Sequence, residues 1–422
     1  MMPPVVEKKQ EPELKSNLID DQAYQIVATL QDRGFATYLV GGCVRDLLVG
    51  IQPKDFDIAT DARPLEVKRL INNAYIIGKR FRLVLVRRGQ HQYEVSTFRR
   101  NALPEEIDED SPNGDNFFGS PEEDAKRRDF TINGLFYDPL REELIDYCAG
   151  LRDIELRTVR MIGDTRKRLV EDPIRIFRAL RMAHKLDFQI DEELRSAILE
   201  QAPQLAKAVL PRRREEILKL LRLPDPARAF LEAYDLGLWA ACAPGLAWIY
   251  EDPEKSEVFQ QYLARIDEFV LQRDDPAHLL AFLIFALYRA TVDDDPSAPI
   301  KSSQLAADTR LQTLLRSELG MFQAEQNLVF RVLNLQHLLT KIGAFTERGE
   351  RRQLALLTQF GFPLALQFAW ADLALGPREY DFWLNRSAGL PKDFVAKRQD
   401  SPRRRSRKRR PRRPYSPKEQ VS

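Results

Sequence analysis

Two aspartates one residue apart close the stretch YLVGGCVRDLLVGIQPKDFDIAT, residues 38 to 60, and a glycine pair ends its apolar opening. In an extended chain alternate side chains share a face. Asp55 and Asp57 therefore project together and Phe56 turns to the other side. Adjacent carboxylates repel unless a cation lies between them, and hard oxygen donors at this spacing suit Mg²⁺, which also takes phosphate oxygens and water. Glu94, in YEVSTF, completes a three-carboxylate cluster if its strand pairs beside that of Asp57 in the right register. Such a cluster holding two Mg²⁺ ions would polarise an attacking hydroxyl and stabilise leaving pyrophosphate, the chemistry of nucleotidyl transfer. Taken alone, Asp-x-Asp fits a turn or a solvated strand edge equally well.

Three further groups carry chemistry. Gly41 and Gly42 allow backbone to approach a ligand closely, the start of the helix that follows favours phosphate, and Arg45 adds a charged donor. Arg127 and Arg128 are phosphate-competent guanidinium groups next to Asp129, which either orients them or assists at the site as the alternative third carboxylate. In EDPIRIFRALR, Asp172 is placed as an N-cap and Pro173 at the first helical position, after which Arg175, Arg178 and Arg181 recur every three residues in one sector. That arrangement is either a cap with a solvated basic face or a rigid carboxylate and guanidinium reading a base edge, the carboxylate accepting from an adenine amino group.

The elements that must position these residues follow from the hydropathy pattern. A first helix is expected from about Asp21 to Gly34, after a Pro- and Glu-rich, disordered segment 1 to 22. Short apolar strands such as FRLVLV (81 to 86) and YEVSTF (93 to 98), joined by a hairpin turn at RRGQH, alternate with helical stretches in an α/β domain over 23 to 150. Residues 103 to 125 contain nine acidic and no basic residues and read as a mobile, solvating surface loop. Beyond Leu151 the three- and four-residue apolar spacing predicts helices almost throughout, as a neck over 151 to 220 and a body over 221 to 390.

Composition narrows the class. With 422 residues, 44% of them hydrophobic, the chain can form two or three domains with their own cores. The apolar run HLLAFLIFALY (278 to 288) is too short to span a bilayer, and the polar N-terminus has no signal-peptide core. Cys43, Cys148 and Cys242 have no metal-ligand spacing, which suits a reducing cytoplasm. His91, His184, His278 and His337 are scattered and read as structural. The net charge of +2 hides an asymmetry: residues 397 to 413 carry eleven basic residues against Asp400, so the remainder is acidic. The tail 391 to 422, with Arg403, Arg404, Arg405, Arg407, Lys408, Arg409, Arg410, Arg412 and Arg413, is expected to be disordered, as either a solubility tail or an RNA-binding arm.

LVGGCVRD followed by KDFDIAT, then RRDFTINGLFYDP (127 to 139) and EDPIRIFRALRMAHKL (171 to 186), resembles the class II nucleotidyltransferase superfamily of bacterial poly(A) polymerases and CCA-adding tRNA nucleotidyltransferases. The resemblance covers roughly residues 25 to 220. It implies an α/β nucleotidyltransferase head followed by all-helical neck and body, with a metal pair at Asp55 and Asp57. Gly41, Gly42, Arg45, Arg127, Arg128, Asn133, Asp172, Arg175 and Arg178 would contact the nucleotide. The segments IIGKRFRLVLV and FGSPEEDAKRRDFTIN, with the basic C-terminus, resemble the poly(A) polymerase branch, although Lys79 stands where that branch suggests arginine. The implied reaction is template-independent addition of AMP from ATP to RNA 3′ ends. CCA or A addition to tRNA is the alternative, and a noncatalytic RNA-binding adaptor is a third.

Overall fold

A computed structural model describes residues 14, 16 to 78, 83 to 101, 117 to 291 and 307 to 388. Lys79, most of the acidic segment and the basic tail lie outside the described residues.

The head is built on a seven-stranded mixed sheet. Its strands are β1 (Thr37–Val40), β2 (Asp57–Thr60), β3 (Ala74–Ile77), β4 (Leu83–Arg88), β5 (His91–Thr97), β8 (Leu135–Asp138) and β9 (Glu143–Asp146), in the order β3-β4-β5-β2-β1-β8-β9. The short strands β6 (Arg99–Arg100) and β7 (Phe117–Phe118) pair separately. Within the large sheet β2 and β5 run parallel, and every other neighbouring pair is antiparallel. The expected hairpin is present: β4 pairs β5 around Gly89 and Gln90, and Gly89 takes a φ of +58°.

Helix α1 (Asp21–Gln31) is capped by Asp20, whose carboxylate accepts from the amides of Gln22 and Ala23 and also from the Tyr93 hydroxyl at 2.7 Å. Order therefore begins before residue 22, with a 3₁₀ turn at Ser16–Leu18, because a cap and a tertiary bond hold the segment to β5. Helices α2 (Gly42–Leu48) and α3 (Pro64–Leu70) follow β1 and β2. Next come α4 (Pro121–Lys126), α5 (Gly150–Glu155), α6 (Thr165–Glu171), α7 (Ile174–Leu186), α8 (Glu192–Gln201), α9 (Leu210–Leu221) and α10 (Pro226–Asp235). Val40, Ala59, Phe98, Ala125 and Phe136 form a buried cluster in the head, with Tyr38, Ile145 and Tyr147 packed against it.

Two compact units divide between Val329 and Phe330. The expected helical body is thus interrupted, because the later helices have a core of their own. There Trp383 is fully buried, donates to the Leu339 carbonyl at 2.9 Å and meets Phe345 at 4.6 Å between ring centroids. Gly361, at φ +92°, separates the helices Glu350–Leu357 and Phe362–Ala371. Among the described residues no single helix is long and apolar enough to cross a membrane.

Candidate active site

The sheet settles the register on which the carboxylate cluster depends: Asp57 of β2 lies opposite Glu94 of β5. Phe56 is buried while Asp55 and Asp57 are exposed, as an extended Asp-Phe-Asp requires. Although the residue as a whole is exposed, the protein packed around its carboxyl group withdraws that group from water and, with the charges of Glu94 and Asp55 and against that of Arg128, pushes Asp57 up to about 6. Among the described residues no three His, Cys, Asp or Glu side chains are gathered closely enough to hold a metal ion. Asp55, Asp57 and Glu94 therefore do not form a closed cage. An open pair of mutually repelling carboxylates fits a cation whose remaining ligands come from substrate and water.

The glycine turn abuts this pair. Cys43, at the start of α2, donates its thiol to the Val40 carbonyl at 3.3 Å and the Asp57 carbonyl at 3.8 Å, tying the turn to the acidic strand. Gly41 has a φ of +73°, and a Cβ placed there would lie 2.5 Å from Arg128 Nη1. The positive φ favours glycine, and any side chain would have to displace the Arg128 guanidinium, which lies directly over bare backbone. At Gly42 the corresponding contact is an ordinary 3.6 Å from Arg45 Nη2.

Arg128 is aimed from several directions. Its Nε and Nη2 donate to Asp124 Oδ2 at 3.3 and 3.0 Å, its Nη1 donates to the Asn133 carbonyl at 3.4 Å, and the group stands 5.4 Å from the Phe136 ring. Arg127 donates to the other oxygen of Asp124 at 3.1 Å, and the Arg99 amide also donates there. Asp124 is only 3% exposed. The last acid of the presumed solvating loop is instead a buried hub for both arginines, a correction that composition alone conceals because its partners are tertiary.

Arg45 has internal partners as well. It is buried, donates to Asp46 Oδ1 at 2.9 and 2.6 Å and to the side-chain oxygen of Asn133, and touches Met182 of α7. Asp46 in turn pairs with Lys185 at 2.8 Å. Arg45 thus bridges head and neck and holds Asn133 in place.

Asp129 is likewise occupied. Arg175 Nε stands 3.2 Å from its Oδ1 and Arg178 Nη2 2.6 Å from its Oδ2, so it orients the neck arginines, while the carboxylates acting on Asp57 are Glu94 and Asp55. Arg175 also donates to Glu171 at 3.1 Å and to the Arg168 carbonyl at 2.6 Å. Helix α7 starts at Ile174, one residue later than expected, with Pro173 as N-cap, and the Asp172 carboxylate still accepts from the Ile174 amide at 3.3 Å. Arg181 pairs with Glu216 of α9 at 2.9 Å.

Two residues escaped the sequence reading. Arg212 of α9 grips Asp172 with both terminal nitrogens, at 2.9 and 2.7 Å. Arg168 donates to the carbonyls of both Arg127 and Arg128 and is itself desolvated, which pulls its pKa down. Arginine-rich runs announce such residues only as charge; their partners lie about forty residues away.

Residues 37 to 160, holding the glycine turn, the acidic strand and the paired arginines, match the family described as "Poly A polymerase head domain". Over these residues the chain is similar to poly(A) polymerases and CCA-adding enzymes. Residues 187 to 249 match a second family, described as "Probable RNA and SrmB- binding site of polymerase A". A poly(A) polymerase I of Haemophilus influenzae is 37% identical over 284 residues, 64% of this chain and 63% of the relative. That of Escherichia coli O6:H1 is 42% identical over 280 residues, 63% of this chain and 60% of the relative. The chain thus spans about three fifths of these relatives' length. A CCA-adding enzyme of Geobacillus kaustophilus is 40% identical over 227 residues, 54% of this chain and 55% of the relative. Among solved structures, the Bacillus stearothermophilus CCA-adding enzyme in complex with CTP is 25% identical, with a TM-score of 0.52 over 87% of this chain and 97% of that one.

Proposed function

We propose that this chain adds AMP from ATP to RNA 3′ ends without a template, releasing pyrophosphate. The observation that carries the reading is the placement of Asp57 between Glu94 on one neighbouring strand and the Gly41–Arg128 contact on the other side. Arg128, fixed by Asp124 and Asn133, supplies positive charge for a triphosphate passing over the bare Gly41 backbone. Asp172, held in one orientation by Arg212, can accept from an adenine amino group. Arg175 and Arg178, fixed by Asp129, form the basic edge beside it.

Asp55 and Asp57 are the residues that would hold Mg²⁺. When bound, the ion supplies activation of the attacking 3′ hydroxyl and charge stabilisation of the departing pyrophosphate. The protein's own part is to fix the donors and orient the nucleotide. The basic arm Arg403 to Arg413 would add sequence-independent phosphate contacts, and a reducing cytoplasm suits the three free cysteines.

A second reading, CCA or A addition to tRNA, is favoured by the CCA-adding relatives at 38% to 40% identity. Incubating purified protein with generic RNA or CCA-lacking tRNA, each with ATP or CTP, separates the two. Long A-tails on both RNAs are expected; CTP incorporation confined to the tRNA would establish the second reading instead.

A further inference from the structure

A cleft of about 730 Å³ opens beside Asp55, within the range of roughly 300 to 1,000 Å³ common for ligand sites. Three segments wall it: residues 17 to 21, residues 52 to 56 leading into β2, and residues 90 to 93 of the β4–β5 turn. Its floor is sealed by Phe56 and Tyr93, which are 5% and 3% exposed. Gln52, Lys54, Gln90, His91 and Gln92 supply polar and basic groups. Its acids are Asp20, whose Oδ1 accepts from the α1 cap amides and the Tyr93 hydroxyl, Asp21 and Asp55.

The position of the cleft matters more than its size. In the sheet order, β5 lies on one side of β2 and β1 with β8 on the other. The Gly41, Arg128 and Asn133 cluster follows β1 and precedes β8, whereas the cleft lies at the start of β5. The cleft and that cluster thus flank the acidic pair. In-line displacement requires the attacking oxygen and the leaving group to stand on opposite sides of the reacting phosphorus.

We infer that this cleft receives the 3′-terminal nucleotides of the RNA acceptor, with Lys54 pairing a backbone phosphate and the glutamines meeting ribose hydroxyls. The inference rests on the proposed function and adds the acceptor's subsite. The acceptor O3′ forms a bond to the α-phosphorus of ATP while the bond from that phosphorus to the oxygen bridging the β-phosphate breaks. Pyrophosphate leaves with the electron pair, and the hydroxyl proton passes to solvent. The Phe56 and Tyr93 rings are buried, which leaves His91 as the exposed ring that a terminal base can stack on, a contact that tolerates any base.

The test uses the full chain and its Lys54→Ala, Lys54→Glu and Lys54→Arg variants; Lys54 is exposed, so the fold should tolerate all three. Steady-state kinetics on unstructured RNA are combined with photocrosslinking of RNA carrying a 3′-terminal 4-thiouridine. Expected are an acceptor KM raised at least fivefold in Lys54→Glu, an unchanged ATP KM, recovery in Lys54→Arg, and crosslinks within 52 to 54 or 90 to 92. If the wild type elongates RNA but the variants keep its acceptor KM and crosslinks map elsewhere, the cleft assignment is overturned and the activity stands. An ATP KM raised in parallel would place the nucleotide there and overturn it as well. A wild type that elongates no RNA with any nucleotide would overturn the proposed function, and this subsite with it.

Discussion

Asp57 and Glu94 face each other across the parallel strands β2 and β5, two carboxylates placed side by side by register alone. Burial and the neighbouring charges raise Asp57 to about 6. Its ionised form, the one able to hold a cation, should therefore be lost as pH falls through that value. The Mg²⁺ concentration for half-maximal incorporation is expected to rise about tenfold per unit below pH 6. Glu94→Gln removes a repelling charge and should shift this limb to lower pH, besides lowering turnover. A pH series of Mg²⁺ titrations on both proteins checks it; identical limbs would uncouple the two residues.

The same shift bears on stability. An aspartate at 3.8 unfolded and about 6 folded binds more protons in the native state between those values, so its ionisation lowers stability as pH rises across that window. Asp57→Asn should consequently be inactive and yet more stable at pH 7, by about 1 kcal/mol after allowance for solvent screening of an exposed residue. Thermal melts at pH 4 and pH 7 measure the difference, which should nearly vanish at the lower pH.

Gly41 and Gly42 look interchangeable in sequence and are not so in space. Gly41→Ala must hold a positive φ in a sparsely populated region, at about 1 to 3 kcal/mol, and displace the Arg128 guanidinium. Gly42→Ala meets only an ordinary contact. The first variant should lose at least tenfold in kcat/KM for ATP while remaining folded, and the second should stay within about threefold. Circular dichroism and steady-state kinetics on both decide; equal effects would show that Arg128 is not held over Gly41.

Asp124 supports Arg127, Arg128 and the Arg99 amide from a buried position. Asp124→Ala leaves those donors without their shared acceptor, which should cost about 3 kcal/mol or more. Asp124→Asn keeps the shape but loses the charge, and should retain more stability while ATP KM rises. Parallel denaturant unfolding and ATP titrations separate support of the fold from aiming of the arginines.

How far the sequence revealed the site depends on the distance over which each role is set. The Asp-Phe-Asp alternation was legible because it needs only a strand, and the Gly-Gly turn because it needs only a reversal after an apolar run. Glu94 was identifiable as a candidate, but its register belongs to the β2–β5 pairing. Arg45 reads in sequence as a charged donor, while its inward partner Asn133, 88 residues away, is visible only in the fold. Asp124 was hidden among eight other acids, where composition says solvation and packing says otherwise. The helical body suggested a single domain because apolar periodicity marks helices without saying which of them share a core.

Arg212 gives the last of these tertiary relationships a measurable consequence. Its two nitrogens hold both oxygens of Asp172, so the carboxylate offers its remaining lone pairs in one direction only. A fixed acceptor distinguishes an amino group placed to meet it from one that is not, whereas a rotating carboxylate adapts to either. Arg212→Ala frees Asp172, which keeps only the 3.3 Å bond from the Ile174 amide. The ratio of kcat/KM for ATP to that for CTP should fall by about tenfold, corresponding to 1.4 kcal/mol, chiefly through weaker ATP use. Arg212→Lys supplies a point charge without the fork and should recover only part of the ratio. Since Arg212 is half exposed, its removal should change the melting temperature little. Competition assays with both nucleotides on one RNA provide the ratio directly, and an unchanged ratio in Arg212→Ala would confine the pair to anchoring α9 against the start of α7.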